Sequence, residues 1–140
     1  MSRALPLNTR QRVVAAMAHL FAIIPIWGMV AAFWIWHTRR EEHPELGFQA
    51  AQAIVLQAIG FLITILYAVA QLFFKLLAVL NEGFSERLCL LNTLFWEVCL
   101  IALALAALWA AFQVRRHGLF EYPVFGASLR RELQHSEPQD

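Results

Sequence analysis

Three apolar stretches dominate this chain, and each is long enough to cross a lipid bilayer: Val13–Trp36, Gln49–Phe74 and Leu88–Val114. The first, 24 residues, measures roughly 36 Å as an α-helix, against about 30 Å of hydrocarbon. Glu97 is the one Asp, Glu, Lys or Arg inside any of them. A backbone in hydrocarbon must satisfy its own hydrogen bonds, so such runs are helices; the alternation expected of a β-barrel is absent. Composition agrees. Of 140 residues, 60% are hydrophobic and 15% charged, with a mean hydropathy of +0.57. Ordinary soluble domains have about 45–50% apolar and about 25% charged residues. A chain this small has too little polar material to cover a water-soluble globule. This argues against a soluble single-domain enzyme and against a disordered chain, and a net charge of +1 gives no case for nucleic acid. The first run is too long for a signal-peptide core and no small-residue cleavage site follows it, so it is expected to remain. Cys89 and Cys99, ten residues apart in one apolar run, are separated by roughly 15 Å of helix and cannot bridge within it.

The expected fold is all-α: an integral membrane three-helix bundle over residues 1–126, followed by a polar C-terminal tail over 127–140. Pro25 and Gly28 predict a kink within the first span, and Trp34 and Trp36 close it as an interface belt. The connector His37–Gly47 is polar, and Asn81-Glu82-Gly83 stops the extension of the second helix. Three spans place Met1 and Asp140 on opposite faces. Arg3, Arg10, Arg12, Lys75 and Arg87 then share one side, and Arg39, Arg40, Arg115, Arg116, Arg130 and Arg131 the other. Five against six sets no orientation; only the paired arginines of the tail lean it towards the cytoplasm.

Small and polar side chains line one stripe of the second span: Ala50, Ala53, Gln57, Gly60, Thr64, Tyr67 and Gln71 recur at spacings of three and four. Ile54, Leu56, Ile59, Phe61, Ile63, Leu66, Val69, Phe73 and Phe74 fall on the surface expected to face lipid. Thr93, Glu97, Leu100, Ala104, Ala107 and Ala111 repeat the device on the third span, and Ala15, His19 and Ala22 on the first. Small residues let membrane helices approach, and amides or hydroxyls bond across them at roughly 0.6–2 kcal/mol each. Two readings follow: packing of the bundle, or a polar pathway or partner surface. His19, Gln57, Gly60, Thr64, Gln71 and Glu97 are the candidates for either. A carboxylate at mid-span is costly, which leaves Glu97 interfacial, bonded to His19, Gln57 or Tyr67, or handling protons. His19 alone supplies no haem or metal fingerprint. His37, Glu41, Glu42, His43 and Glu45 match no metal-site spacing and read as a solvated loop. Neither a nucleophilic constellation nor a phosphate loop is present, so no catalytic residue, cofactor or metal is assigned. In the tail, Leu119-Phe120-Glu121-Tyr122-Pro123-Val124-Phe125 is an apolar cluster that needs cover. Tyr122, Pro123, Arg130 and Arg131 are its candidates for contacting a partner or the membrane interface.

Ala18-His19-Leu20, Pro25, Trp27, Gly47-Phe48-Gln49-Ala50-Ala51-Gln52-Ala53-Ile54, Asn92-Thr93-Leu94-Phe95-Trp96 and Tyr122-Pro123 together carry a resemblance over residues 13–126. They resemble a widespread bacterial family of small multi-pass membrane proteins. That family is similar to the channel-associated subunit of the chloroplast Tic translocon, and magnetosome-membrane proteins of like build belong to the same circle. The translocon subunits have one span more than the three counted here. The resemblance implies a helical membrane protein with protein partners and adds no reaction. The function expected is a non-enzymatic accessory, assembly or scaffolding subunit of a larger membrane complex in the bacterial cytoplasmic membrane. Its partners would be other integral membrane subunits and lipid, and a homo-oligomer is compatible with this. The alternative is a translocon-like or small-solute transport component whose path is lined by Gln57, Thr64, Gln71 and Glu97.

Overall fold

Among the described residues two helices, not three, are long and apolar enough to cross a membrane. The computed structural model describes residues 7–24 and 26–135. Its α-helices are α1 (Thr9–Phe21), α2 (Trp27–Arg39), α3 (Pro44–Leu76), α4 (Glu82–His117) and α5 (Gly126–His135), and no strand occurs among the described residues. A 3₁₀ turn, Leu77–Val79, extends α3, so the two candidate spans are Pro44–Val79 and Glu82–His117.

Each boundary has a local cause. Asn8 and Gln11 form a reciprocal capping box at the start of α1, both bonds at 2.9 Å, which satisfies two otherwise orphaned N–H groups. Pro44 opens α3, where its fixed φ is already helical. The Asn81 side chain accepts from Phe84 N–H at 3.0 Å to start α4. The α4 helix ends at Gly118, whose φ of 83° is left-handed, a conformation only glycine adopts without strain.

The expected first span is instead a hairpin. α1 and α2 have 13 residues each, roughly 20 Å apiece, too short to cross about 30 Å of hydrocarbon. The arms run antiparallel: α1 ascends beside α3 from Leu7, clustered with Leu46, to Phe21, bonded to Gln57. α2 descends from Gly28, against Gln57, to Arg40, against Gly47. The break has two visible causes. Ile26 takes a φ of 66°, a strained conformation for a β-branched residue, while Pro25, where the kink was expected, lies outside the described residues. At Gly28 a Cβ would collide with the Phe21 carbonyl oxygen and Gln57 Nε2, so the turn closes only around glycine. The turn carbonyls keep backbone donors, Ile24 N–H to Phe21 O at 2.9 Å and Gly28 N–H to Ile24 O at 3.0 Å. Gln57 Nε2 adds a second donor to each at 3.2 Å, which braces the turn at membrane depth.

This hairpin corrects the expected topology. Because the first segment returns, the start of α1, the α2–α3 connector and the α4–α5 tail lie at one end of the bundle. Arg10, Arg12, Arg39, Arg40, Arg115, Arg116, Arg130 and Arg131 all sit there, and only Lys75 and Arg87 of the described cations flank the α3–α4 turn. A five-against-six tie becomes eight against two among the described residues, the asymmetry that the positive-inside rule reads as a cytoplasmic end. The described ends of the chain share that side instead of opposing one another.

The four-helix half is the core. Ala15, Ala18, Ala32, Ala50, Ala53 and Ala110 are fully buried; a methyl group is all that separates these helices, so their backbones approach closely. Beyond the hairpin tip only α3 and α4 continue, and Leu62, Leu66, Val69, Phe95 and Val98 are exposed there. Such surface suits lipid rather than water.

Candidate functional site

The most constrained site lies at the arginine-rich end, where the tail folds back into the bundle. Gly118 turns the chain out of α4 so that residues 119–122 run across α1 and α3. The Phe120 carbonyl accepts from Gln49 Nε2 at 2.8 Å and from Gln52 Nε2 at 2.9 Å. Tyr122 N–H donates to Gln52 Oε1 at 2.9 Å. That N–H is an unambiguous donor, so it fixes which way the Gln52 amide points, and the rest of the network follows. Gln49 Oε1 then faces His19 Nε2 at 3.1 Å, which makes Nε2 the protonated ring nitrogen. His19 Nδ1 is left as an acceptor 3.5 Å from the Tyr122 hydroxyl, which also lies 3.5 Å from Ala106 O. His19, Gln49 and Gln52 are completely buried and Tyr122 nearly so.

Packing reinforces these bonds. Phe120 and Tyr122 meet edge to face at 4.8 Å, each ring also touches the His19 edge, and Phe125 stacks on Tyr122 at 4.9 Å. Burial pushes the His19 imidazole, which belongs to α1 and neither spanning helix, down to about 4 against the pull of its Gln49 bond. Burial likewise raises the Tyr122 phenol above its ordinary value. Both rings are therefore neutral at pH 7, as a water-poor network requires.

A strap of charge closes over the clasp. Arg130, on α5, donates to both carboxylate oxygens of Glu45 at 2.9 and 3.4 Å and pairs with Glu121 at 3.4 Å. Its guanidinium lies 4.0 Å above the Phe48 ring. Partial burial works against the Arg130 charge, but the bond and charge of Glu45, with Glu121 behind them, outweigh it and raise its pKa. Of the other tail candidates, Pro123 is exposed in the turn before α5 and Arg131 is exposed, with Nε 3.4 Å from Ala127 O.

The remaining candidates occupy three separate places. Gln57 serves the hairpin tip. Gln71 belongs to a cluster between α3 and α4, where its Nε2 donates to Tyr67 Oη at 3.1 Å and Thr93 Oγ1 at 3.0 Å. Trp96 stacks on Tyr67 at 4.7 Å and its indole N–H lies 3.4 Å from Thr64 Oγ1. Glu97 faces outward, exposed near the middle of α4, with no hydrogen bond or ion pair among the described residues. Its expected partners are engaged elsewhere, His19 with Gln49 and Gln57 with the hairpin carbonyls. Gln57 and Thr64 line an apolar groove of about 560 Å³ below the hairpin tip; Gln71 and Glu97 lie outside it. Gly60 opens that groove, since a Cβ there would meet only Leu103 Cδ1, at 3.5 Å. Phe61, expected on the lipid face, lines the same groove, and Leu56 is buried. Among the described residues no three His, Cys, Asp or Glu side chains converge as metal ligands would.

Gln49 and Gln52 entered the sequence reading only within the family resemblance, and Glu45 as part of a solvated loop, whereas the structure buries all three at the clasp and its strap. Two glutamines three apart, opening an otherwise apolar helix, were the available signal, since amides are not buried there without partners.

A hairpin packed against two helices long and apolar enough to cross a membrane, with a tail clasped by buried amides, is the architecture of a small α-helical membrane protein. The sequence profile of the magnetosome magnetite crystal formation protein family, MamF/MmsF, matches residues 10–129. The chain belongs to that family, and the match covers hairpin, spans and clasp together. Neither the characterised proteins nor the solved structures give a match.

Proposed function

We propose that this protein is a non-enzymatic accessory membrane protein of magnetosome formation, acting as a scaffold that presents its clasped cytoplasmic end to other membrane subunits. Family membership carries the reading. The chemistry of the site supports it: the buried polar groups at the cytoplasmic end are committed to holding the tail, with neutral rings and saturated amides rather than an activated nucleophile or base. The exposed parts of that end, Pro123, Val124, Arg131 and the outer turns of α4, are left for partners or headgroups. Its membrane would be that of the magnetosome, or the cytoplasmic membrane from which such a compartment could derive. The test is deletion of the gene in its host and complementation with the wild type or with Gln52→Leu, with crystal size and number measured by electron microscopy. The proposal expects altered crystals on deletion, rescue by the wild type, and weaker rescue when the clasp is opened. Crystals unchanged by deletion would overturn it. Mild-detergent purification from the same cells identifies the subunits that accompany the protein.

A further inference from the structure

A second groove, of about 260 Å³, runs between α1 and α4 at the cytoplasmic end. Ala16 and Ala111, both buried, form its floor, and Met17 and Phe112 its exposed walls. Arg115 stands at its mouth. From Leu108 to Arg115 the groove follows eight residues of α4, a rise of roughly 10 Å, against roughly 15 Å of hydrocarbon in one leaflet. It therefore starts at headgroup level and descends through most of the cytoplasmic leaflet.

Arg115 is the decisive group. It is exposed and has no hydrogen bond or ion pair among the described residues. Of the acids at this end, Glu42 pairs with Arg39, and Glu45 and Glu121 with Arg130, while Glu41 and Glu132 form no ion pair with Arg115. A guanidinium held at the interface above an apolar channel is complementary to a phosphate with a hydrocarbon chain below it, because its planar fork can donate two bonds to one phosphate. We infer that this groove is a binding site for an anionic phospholipid of the cytoplasmic leaflet, its phosphate on Arg115 and one acyl chain between α1 and α4. The site assigns the outer turns of α4 to a lipid headgroup and chain, and it uses neither the clasp nor the turn at Pro123 and Val124.

The inference is tested by native mass spectrometry of the full chain in detergent micelles, titrated with palmitoyl-oleoyl phosphatidylglycerol. Phosphatidylcholine with the same chains and free glycerol phosphate are the comparison ligands. One lipid should bind saturably, phosphatidylglycerol more tightly than phosphatidylcholine, and glycerol phosphate not measurably. Arg115→Gln should weaken phosphatidylglycerol binding about fivefold, the effect of one arginine at an anionic surface. Arg116→Gln, one residue along and outside the groove, should leave it within twofold. Phe112→Ala, which removes an exposed wall and no core contact, should weaken both phospholipids alike. Equal losses from Arg115→Gln and Arg116→Gln would mean diffuse surface charge and overturn the site. So would binding of glycerol phosphate as tight as the lipid, or no preference between the two headgroups.

Discussion

Replacing Gln52 by Leu tests the clasp most directly, because one side chain there serves two backbone groups of the tail. Leucine is of similar bulk and suits an alanine-rich surround, so the change is mainly one of hydrogen bonding. Tyr122 N–H loses its acceptor at 2.9 Å, and an orphaned buried donor costs about 1–3 kcal/mol. Phe120 O keeps Gln49 but loses Gln52 at 2.9 Å, a further loss of about 0.5–1.5 kcal/mol. Together about 1.5–4.5 kcal/mol favours tail release, which raises the open population roughly 10- to 2,000-fold. Hydrogen exchange by mass spectrometry, on protein in nanodiscs, reads this at the peptide covering residues 119–125. Exchange there should accelerate by that factor while peptides of α3 and α4 below Gln57 stay unchanged. Tyr122→Phe provides the contrast. Both hydroxyl contacts are 3.5 Å long, so its effect should stay below about 1 kcal/mol. Tail exchange within twofold of wild type in Gln52→Leu, or a larger effect from Tyr122→Phe, would refute the assignment of the clasp to the amides.

Three further outcomes are expected. Gly28→Leu should sharply lower the yield of folded protein, because its Cβ collides with the Phe21 carbonyl, whereas Gly60→Leu should project into an open groove and be tolerated; detergent-solubilised yield by size-exclusion chromatography compares them. Reporter fusions at residue 1 and residue 140 should both report the cytoplasm, and a split result would restore three spans. Acid should loosen the clasp: the released His19 protonates at its ordinary value of 6.5, while the buried ring resists down to about 4. Clasp stability is therefore full above about pH 6.5, falls by about 1.4 kcal/mol per unit as the pH drops towards 4, and levels off below that. Tail exchange corrected for intrinsic rates measures it, and a flat profile in that window counts against a buried neutral His19.

The sequence by itself determined that this is a helical membrane protein. Long runs such as Gln49–Phe74 leave the backbone no alternative in hydrocarbon, and the small residues Ala15, Ala50, Ala53, Ala107 and Ala111 marked the faces that the helices bury. Those inferences needed only hydropathy and the helical period, which are local properties. What the first run would do was not local. Val13–Trp36 is long enough to span, and its return is braced by a donor 31 residues away from Ile26: the Gln57 amide that adds a second bond to the carbonyls of Phe21 and Ile24. Reversing that one segment brings Arg39 and Arg40 to the side of Arg10 and Arg12, and turns balanced charge into an orientation. The site shows the same limit. His19, Gln57, Tyr122 and Arg130 were legible as polar groups needing partners in an apolar setting, but the partners of Tyr122 and Arg130, Gln52 and Glu45, lie 70 and 85 residues away along the chain. Glu97 shows the converse, since helical spacing gave it the polar stripe of its helix and only the packing of α3 on α4 turned it outward. A residue's chemical type sets what it must find, and only the tertiary fold determines what stands beside it.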